Sequence, residues 1–158
     1  MVYAKGNKMD FKGASYHRRL ASISYVLVVD DDVDDQMLIC DALSDSKLGN
    51  DKVKCVNDGE ELMVALREAK TLPSFILLDL NMPKKDGRTA LLEIKQDQRL
   101  RHIPVIIFST SSTQTDIKDC YFRGSNTYIT KPHSYKDLVD TMGDILQYWT
   151  TRAQIAVV

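Results

Sequence analysis

The 158-residue chain has only three cysteines, four prolines, seven glycines and one tryptophan. Cys40, Cys55 and Cys120 stand far apart and form no Cys-x-x-Cys pair, which argues against a zinc site or a disulfide framework. Cys40 and Cys55 fall within apolar patterns and read as buried free thiols in a reducing compartment. The glycines form neither a Walker phosphate loop nor a Gly-x-Gly-x-x-Gly turn behind a first strand, so those two modes of nucleotide binding are excluded. No run approaches the roughly 18 apolar residues of a membrane span, and the N-terminus lacks a signal-peptide core. A net charge of −1 leaves no electrostatic footprint for nucleic acid. Internal repeats and low-complexity segments are absent as well.

What is present is the composition of a soluble globular domain, 44% hydrophobic and 27% charged, long enough for a core of its own. Residues 1–24 are the exception. Lys5, Lys8, Lys12, Arg18 and Arg19 stand against Asp10 with little apolar periodicity, and a disordered N-terminal extension is expected there. Residues 25–150 form the expected domain and 151–158 a short tail.

Three continuous apolar runs, Tyr25–Val29, Phe75–Leu78 and Ile103–Phe108, read as strands buried on both faces. Val53–Val56 and Thr127–Thr130 are shorter and carry polar residues, as edge strands do. Helices are expected over 33–46, over the stripe Leu62, Ala65, Leu66 and Ala69, and over 88–97, 113–123 and 134–149. In the first of these, Met37, Cys40 and Leu43 are the expected inner face. Five strands alternating with five helices give an α/β, flavodoxin-like, doubly wound parallel sheet. The order 2-1-3-4-5 puts the three apolar strands inside. Ligands of such sheets bind beyond the carboxyl ends of the strands, where the order reverses.

The residues converging on that mouth define the chemistry. Asp30 and Asp31 end the first strand, Asp79 the third, Ser109 the fourth, and Lys131 follows the fifth. Five carboxylates in the six residues 30–35 repel one another unless a cation is present, which points to a divalent metal. A calcium loop would use Asp30, Asp32, Asp34 and Asp41. It would also require glycine where Asp35 stands and a helix where a strand precedes. Asp79 is suited to nucleophilic attack on phosphorus, Lys131 to pairing with a phosphoryl oxygen and Ser109 to donating a hydrogen bond.

Val26–Asp31, Asp79–Gly87, Ile103–Ser109 and Tyr128–Pro132 together resemble a response-regulator receiver domain, over about residues 24–150. The stretch Ile94–Ser112 and the Tyr-Trp end of the last helix are similar to stand-alone regulators paired with bacterial phytochrome-type kinases. The resemblance implies that Asp79 is the phosphoacceptor, with Lys131 and Ser109 assisting. It places magnesium on Asp30, Asp31, Asp79 and the backbone carbonyl of Asn81. Ser109 and Tyr128 become the switch pair, and Pro132 follows Lys131 through a cis bond. It further implies a cytoplasmic protein that takes its phosphoryl group from a sensor histidine kinase or a histidine phosphotransfer protein. Its output would be a downstream protein bound on the face of helix 4, strand 5 and helix 5, with homodimerisation allowed and neither nucleic acid nor membrane engaged. Only eight residues follow position 150, so no output domain is expected. Nor is any enzyme activity expected beyond self-catalysed phosphorylation and dephosphorylation. Asp32, a third carboxylate, and His133, in place of a common aromatic residue, depart from the pattern.

Three rivals share parts of this signature. A haloacid-dehalogenase-type phosphatase also forms an aspartyl phosphate, but wants a second aspartate where Asn81 stands and a nucleophile after its first strand. A receiver-like binding module that takes no phosphate would not need the full set of Asp30, Asp31, Asp79, Ser109 and Lys131. A flavin binder would place backbone donors and hydroxyls where this chain has carboxylates.

Overall fold

Strands β1 (Val26–Val29), β3 (Phe75–Leu78) and β4 (Val105–Ser109) have no polar side chain before their last residue, and every position in them is buried. They form the middle of a parallel five-stranded sheet of order β2-β1-β3-β4-β5, with β2 (Val53–Val56) and β5 (Thr127–Thr130) at the edges. This computed structural model describes residues 11–156. Six α-helices flank the sheet: α1 (Phe11–Leu20), α2 (Val33–Asp45), α3 (Gly59–Glu68), α4 (Gly87–Gln96), α5 (Gln114–Phe122) and α6 (Tyr135–Gln147).

Alternation along the strands divides the interior into two cores. Leu27, Val29, Ile76, Leu78, Val105 and Ile107 point to one face, where Leu62 and Leu66 of α3, Leu91 and Ile94 of α4 and Cys120 of α5 meet them. Val26, Val28, Phe75, Leu77, Ile106 and Phe108 point to the other, against α2 and α6. Both faces being buried, a one-residue slip of a central strand would exchange its two sets of side chains between the cores, so register is held tightly. That register decides which residues reach the mouth. Val29 pairs with Leu78 and Ser109 with Thr130, which leaves Asp30, Asp79 and Lys131 immediately beyond the ladders.

The inner face of α2 differs from the expected one. Ile39, Ala42 and Leu43 are buried, whereas Met37 is 60% exposed and Cys40 half-buried. Both sets have helical spacing, and the sheet selects the one that α6 covers.

The disorder expected over 1–24 gives way, from residue 11, to α1 and a loop that pack on the domain; residues 1–10 lie outside the described residues. Leu20 and Ile23 are 4% and 2% exposed and belong to the core shared with α2 and α6. Tyr16 donates to the carbonyl of Ser46 (3.2 Å). Arg19 donates to that of Thr151 (3.0 Å), within a π-helical turn (Tyr148–Arg152) that continues α6. Lys52 caps the carbonyls of Ala21 and Ile23. Two apolar residues are too few to show a period in sequence, yet they close one end of a core layer. Ile23→Ala is therefore expected to lower unfolding stability by about 2–4 kcal/mol in a urea titration. A change within about 0.5 kcal/mol, the range of an ordinary surface site, would mean that this segment does not belong to the domain.

Candidate functional site

Asp30 is the first residue past β1. Its N–H donates to the Val56 carbonyl (3.2 Å), and its Oδ1 accepts from the Asp32 N–H (3.0 Å). Asp79 is the first residue past β3. Its N–H donates to the Val29 carbonyl (2.9 Å), and its Oδ1 accepts from the Leu80 N–H (2.9 Å). Asp30 and Asp79 are 2% and 8% exposed, while Asp31 faces solvent. Carboxylate oxygens of these three residues lie within 4.8 Å of one another.

Lys131 leaves β5 with its N–H bonded to the Ser109 carbonyl (2.8 Å). Its Nζ lies 2.6 Å from Asp30 Oδ2, 2.8 Å from Asp35 Oδ2 and 3.9 Å from Asp79 Oδ2. One ammonium thus serves several carboxylates, and Asp79 is the least well served of the three it faces.

Burial pushes Asp79 up to about 6; Asp30 and Asp31 push the same way, and Lys131 opposes them. Burial also raises Asp30, against its hydrogen bonds from Lys131 and Asp32. Burial works against the charge of Lys131, but the hydrogen bonds to Asp30 and Asp35 outweigh it and hold the pKa above the usual lysine value. A donor set made only of oxygen, crowded and short of positive charge, fits a hard divalent cation such as magnesium rather than a soft metal.

Ser109, the last residue of β4, is fully buried, and its Oγ accepts from the Ser111 N–H (3.2 Å). Tyr128 is half-buried and donates from its hydroxyl to the Ser111 carbonyl (2.7 Å). Asn81 is exposed on the loop after Asp79, and His133 is exposed beyond Lys131. No peptide bond is cis among the described residues, so the cis bond implied at Pro132 is absent.

Asp32 has a structural role that its position in the acidic run concealed. It is the N-cap of α2, its Oδ1 accepting from the N–H groups of Asp34 (2.9 Å) and Asp35 (3.3 Å). With Asp32 capping and Asp41 well inside the helix, the calcium-loop reading fails.

Several residues at the site were not anticipated. Asp35 pairs with Lys131 from the first turn of α2. Gln36 Nε2 ties the carbonyls of Asp30 (2.6 Å) and Val56 (3.2 Å) to the side chain of Asn57 (3.0 Å). Gly87 opens α4 so close to the loop that begins at Asp79 that an added methyl would overlap the Asp79 carbonyl oxygen. Arg88 pairs with Asp116 (2.6 Å), which accepts from the Ser111 hydroxyl (2.6 Å), linking α4 and α5 to the loop that holds Tyr128. Asp35 belonged to the acidic run and Gly87 to the turn after Asp79; the others carried no local signal.

Because the folded-state pKa of Asp79 is raised, the folded protein binds this proton more tightly than the unfolded chain does. The resulting stability is complete at low pH and is lost as pH rises from about 4 to about 6. Asp79→Asn removes the penalty. In EDTA at pH 8 it should be more stable than the parent by on the order of 1 kcal/mol, allowing for partial access of water. The gap should close as pH falls through that window. A pH-independent gap would mean that Asp79 is not the group paying for its burial.

The sequence and the fold both have close counterparts. The chain matches the Response regulator receiver domain over residues 26–142. It is 36% identical over 129 residues to the probable methanogenesis regulatory protein FilR2 of Methanothrix harundinacea, covering 78% of this chain and 82% of that protein. Response regulator Rcp1 of Synechocystis is 36% identical over 129 residues, 78% of this chain and 87% of that protein. Its structure in a Mn2+-bound form superposes with a TM-score of 0.76, covering 85% of this chain and 99% of that one at 33% identity. The structure of the phosphorylated cyanobacterial phytochrome response regulator RcpA gives a TM-score of 0.79 at 38% identity, with the same coverage of both chains. The match begins at β1 and runs into α6, taking in every strand of the sheet, and the chain belongs to the response regulator receiver family of two-component signalling.

Proposed function

We propose that this protein is a cytoplasmic phosphoacceptor that takes a phosphoryl group from the phosphohistidine of a sensor kinase or phosphotransfer protein onto Asp79. The observation that carries the reading is the pairing of a nearly buried Asp79 with two further carboxylates within 4.8 Å and one shared ammonium. A carboxylate oxygen of Asp79 bonds to phosphorus as the phosphorus–nitrogen bond breaks and the imidazole keeps the electron pair. Asp30, Asp31, Asp79 and the Asn81 carbonyl would hold magnesium, which supplies charge neutralisation and orientation of the phosphoryl oxygens. Leu80 N–H keeps the Asp79 carboxylate aimed into the mouth. Lys131 offers its charge to a phosphoryl oxygen.

The new oxygens also compete for Ser109. Inward movement of its hydroxyl would disturb its contact with the Ser111 N–H, and with it the loop to which Tyr128 is bound. Tyr128 then turns inward, and the face of α5, β5 and α6 changes shape. This is the face of helix 4, strand 5 and helix 5 expected from sequence. Phe122, 91% exposed, and Tyr121, 50% exposed, offer apolar surface there for a downstream protein. Differential contacts of a few kcal/mol suffice to invert such a two-state population.

Incubation with acetyl phosphate and magnesium should add one acid-stable, base-labile phosphoryl group per chain, and Asp79→Asn or EDTA should abolish it. Labelling that persists in Asp79→Asn would sink the assignment of the acceptor.

Ser109→Ala should still accept phosphate, since neither nucleophile nor metal ligands change. Its amide chemical shifts over residues 109–135 should respond only weakly to beryllofluoride and magnesium. Shifts as large as those of the parent would pass the switch role to another hydroxyl, Thr110 or Ser111.

A further inference from the structure

Cys40 and Cys55 take no part in the acidic mouth, and they are not the buried thiols that their apolar neighbours suggested. Cys40 is half-buried on α2 and Cys55 exposed on β2, whereas Cys120 is wholly buried. Strand side chains alternate, and Cys55 falls on a face of an edge strand that its neighbours leave partly open. The two sulfurs, from residues 15 apart in the chain, lie 3.4 Å from one another. A disulfide needs about 2.05 Å, so closing the gap takes about 1.4 Å of movement, within reach of small side-chain rotations.

We propose that Cys40 and Cys55 form a redox modification site, closed to an intramolecular disulfide by hydrogen peroxide and reopened by thiols. The hydrogen bond between the two sulfurs lowers the pKa of Cys40, against burial and Asp41, and raises that of Cys55. Cys40 is therefore the sulfur that attacks first, as the thiolate. It takes one peroxide oxygen as the O–O bond breaks, and the departing hydroxide picks up a proton and leaves as water. Cys55 sulfur then attacks the Cys40 sulfenic acid; the S–O bond breaks and hydroxide leaves with the Cys55 proton as a second water. Two electrons pass from the sulfur pair to one peroxide.

The bond would tie α2 to β2 beside the acidic loop without touching it. Gln36, one turn before Cys40, already bonds the carbonyls of Asp30 and Val56, and Val56 follows Cys55. Oxidation is thus expected to reinforce that corner and to constrain the unfolded chain. The inference is independent of whether Asp79 takes phosphate.

The test treats the full chain with hydrogen peroxide and measures intact mass without reductant. The expected product is a monomer lighter by about 2 Da, with free thiols falling from three to one. Peptide mapping should join Cys40 to Cys55. Cys120→Ser should give the same bridge, and Cys40→Ser or Cys55→Ser should not. The oxidised protein should melt about 5 °C higher, and dithiothreitol should reverse both changes. A covalent dimer through Cys55, a bridge that includes Cys120, or gain of oxygen without a bridge would each overturn the proposal.

Discussion

The structure turns on one ammonium group among too many carboxylates. Lys131 is bonded to Asp30 and Asp35 and lies farther from Asp79. At separations near 4 Å and an effective dielectric of about 20, each unit-charge interaction is worth about 4 kcal/mol. Burial of Asp79 is the largest cost, and with the repulsion of Asp30 and Asp31 added to it a single shared cation does not offset the sum, so the pKa of Asp79 rises to about 6. That residual shortage of positive charge suits the site to a divalent ion.

Holding like charges together requires a support that cannot relax away from them. Two dry cores grip the central strands from both faces, so the strand ends are fixed in register. Local bonds then aim each carboxylate. Asp30 is held by Val56, Asp32 and Gln36, and Asp79 by Val29 and Leu80. Gly87 lets α4 start against the Asp79 carbonyl, where any larger residue would force the Asp79 loop to move. The same ladders connect the acidic mouth to the edge of the sheet at β5. The Ser109 carbonyl receives the Lys131 N–H, so the ends of β4 and β5 move as one. From Ser111 a chain of bonds runs to Tyr128, Asp116 and Arg88.

The order of the sheet, its three buried strands and the residues at its mouth were legible in the chain itself. A parallel strand buried on both faces can only be written as an unbroken apolar run, and the residue after such a run stands at the carboxyl edge by construction. Asp30, Asp79 and Ser109 were placed in this way, and Lys131 by following the shorter, partly polar run Thr127–Thr130.

What the tertiary structure alone decided concerns partners brought from a distance. Asp32 and Asp35 are alike in sequence, yet one caps a helix and the other pairs with a lysine 96 residues away. Leu20 and Ile23 show no period, because their burial depends on α2 and α6 rather than on their own segment. Met37 and Ile39 both satisfied a helical stripe until the sheet chose between them. Cys40 and Cys55 carried no sign of each other, since their proximity comes from the packing of α2 against β2. Periodicity reports the environment of a residue along its own element; which residues meet across elements is set by packing, and that information is not local to any stretch of chain.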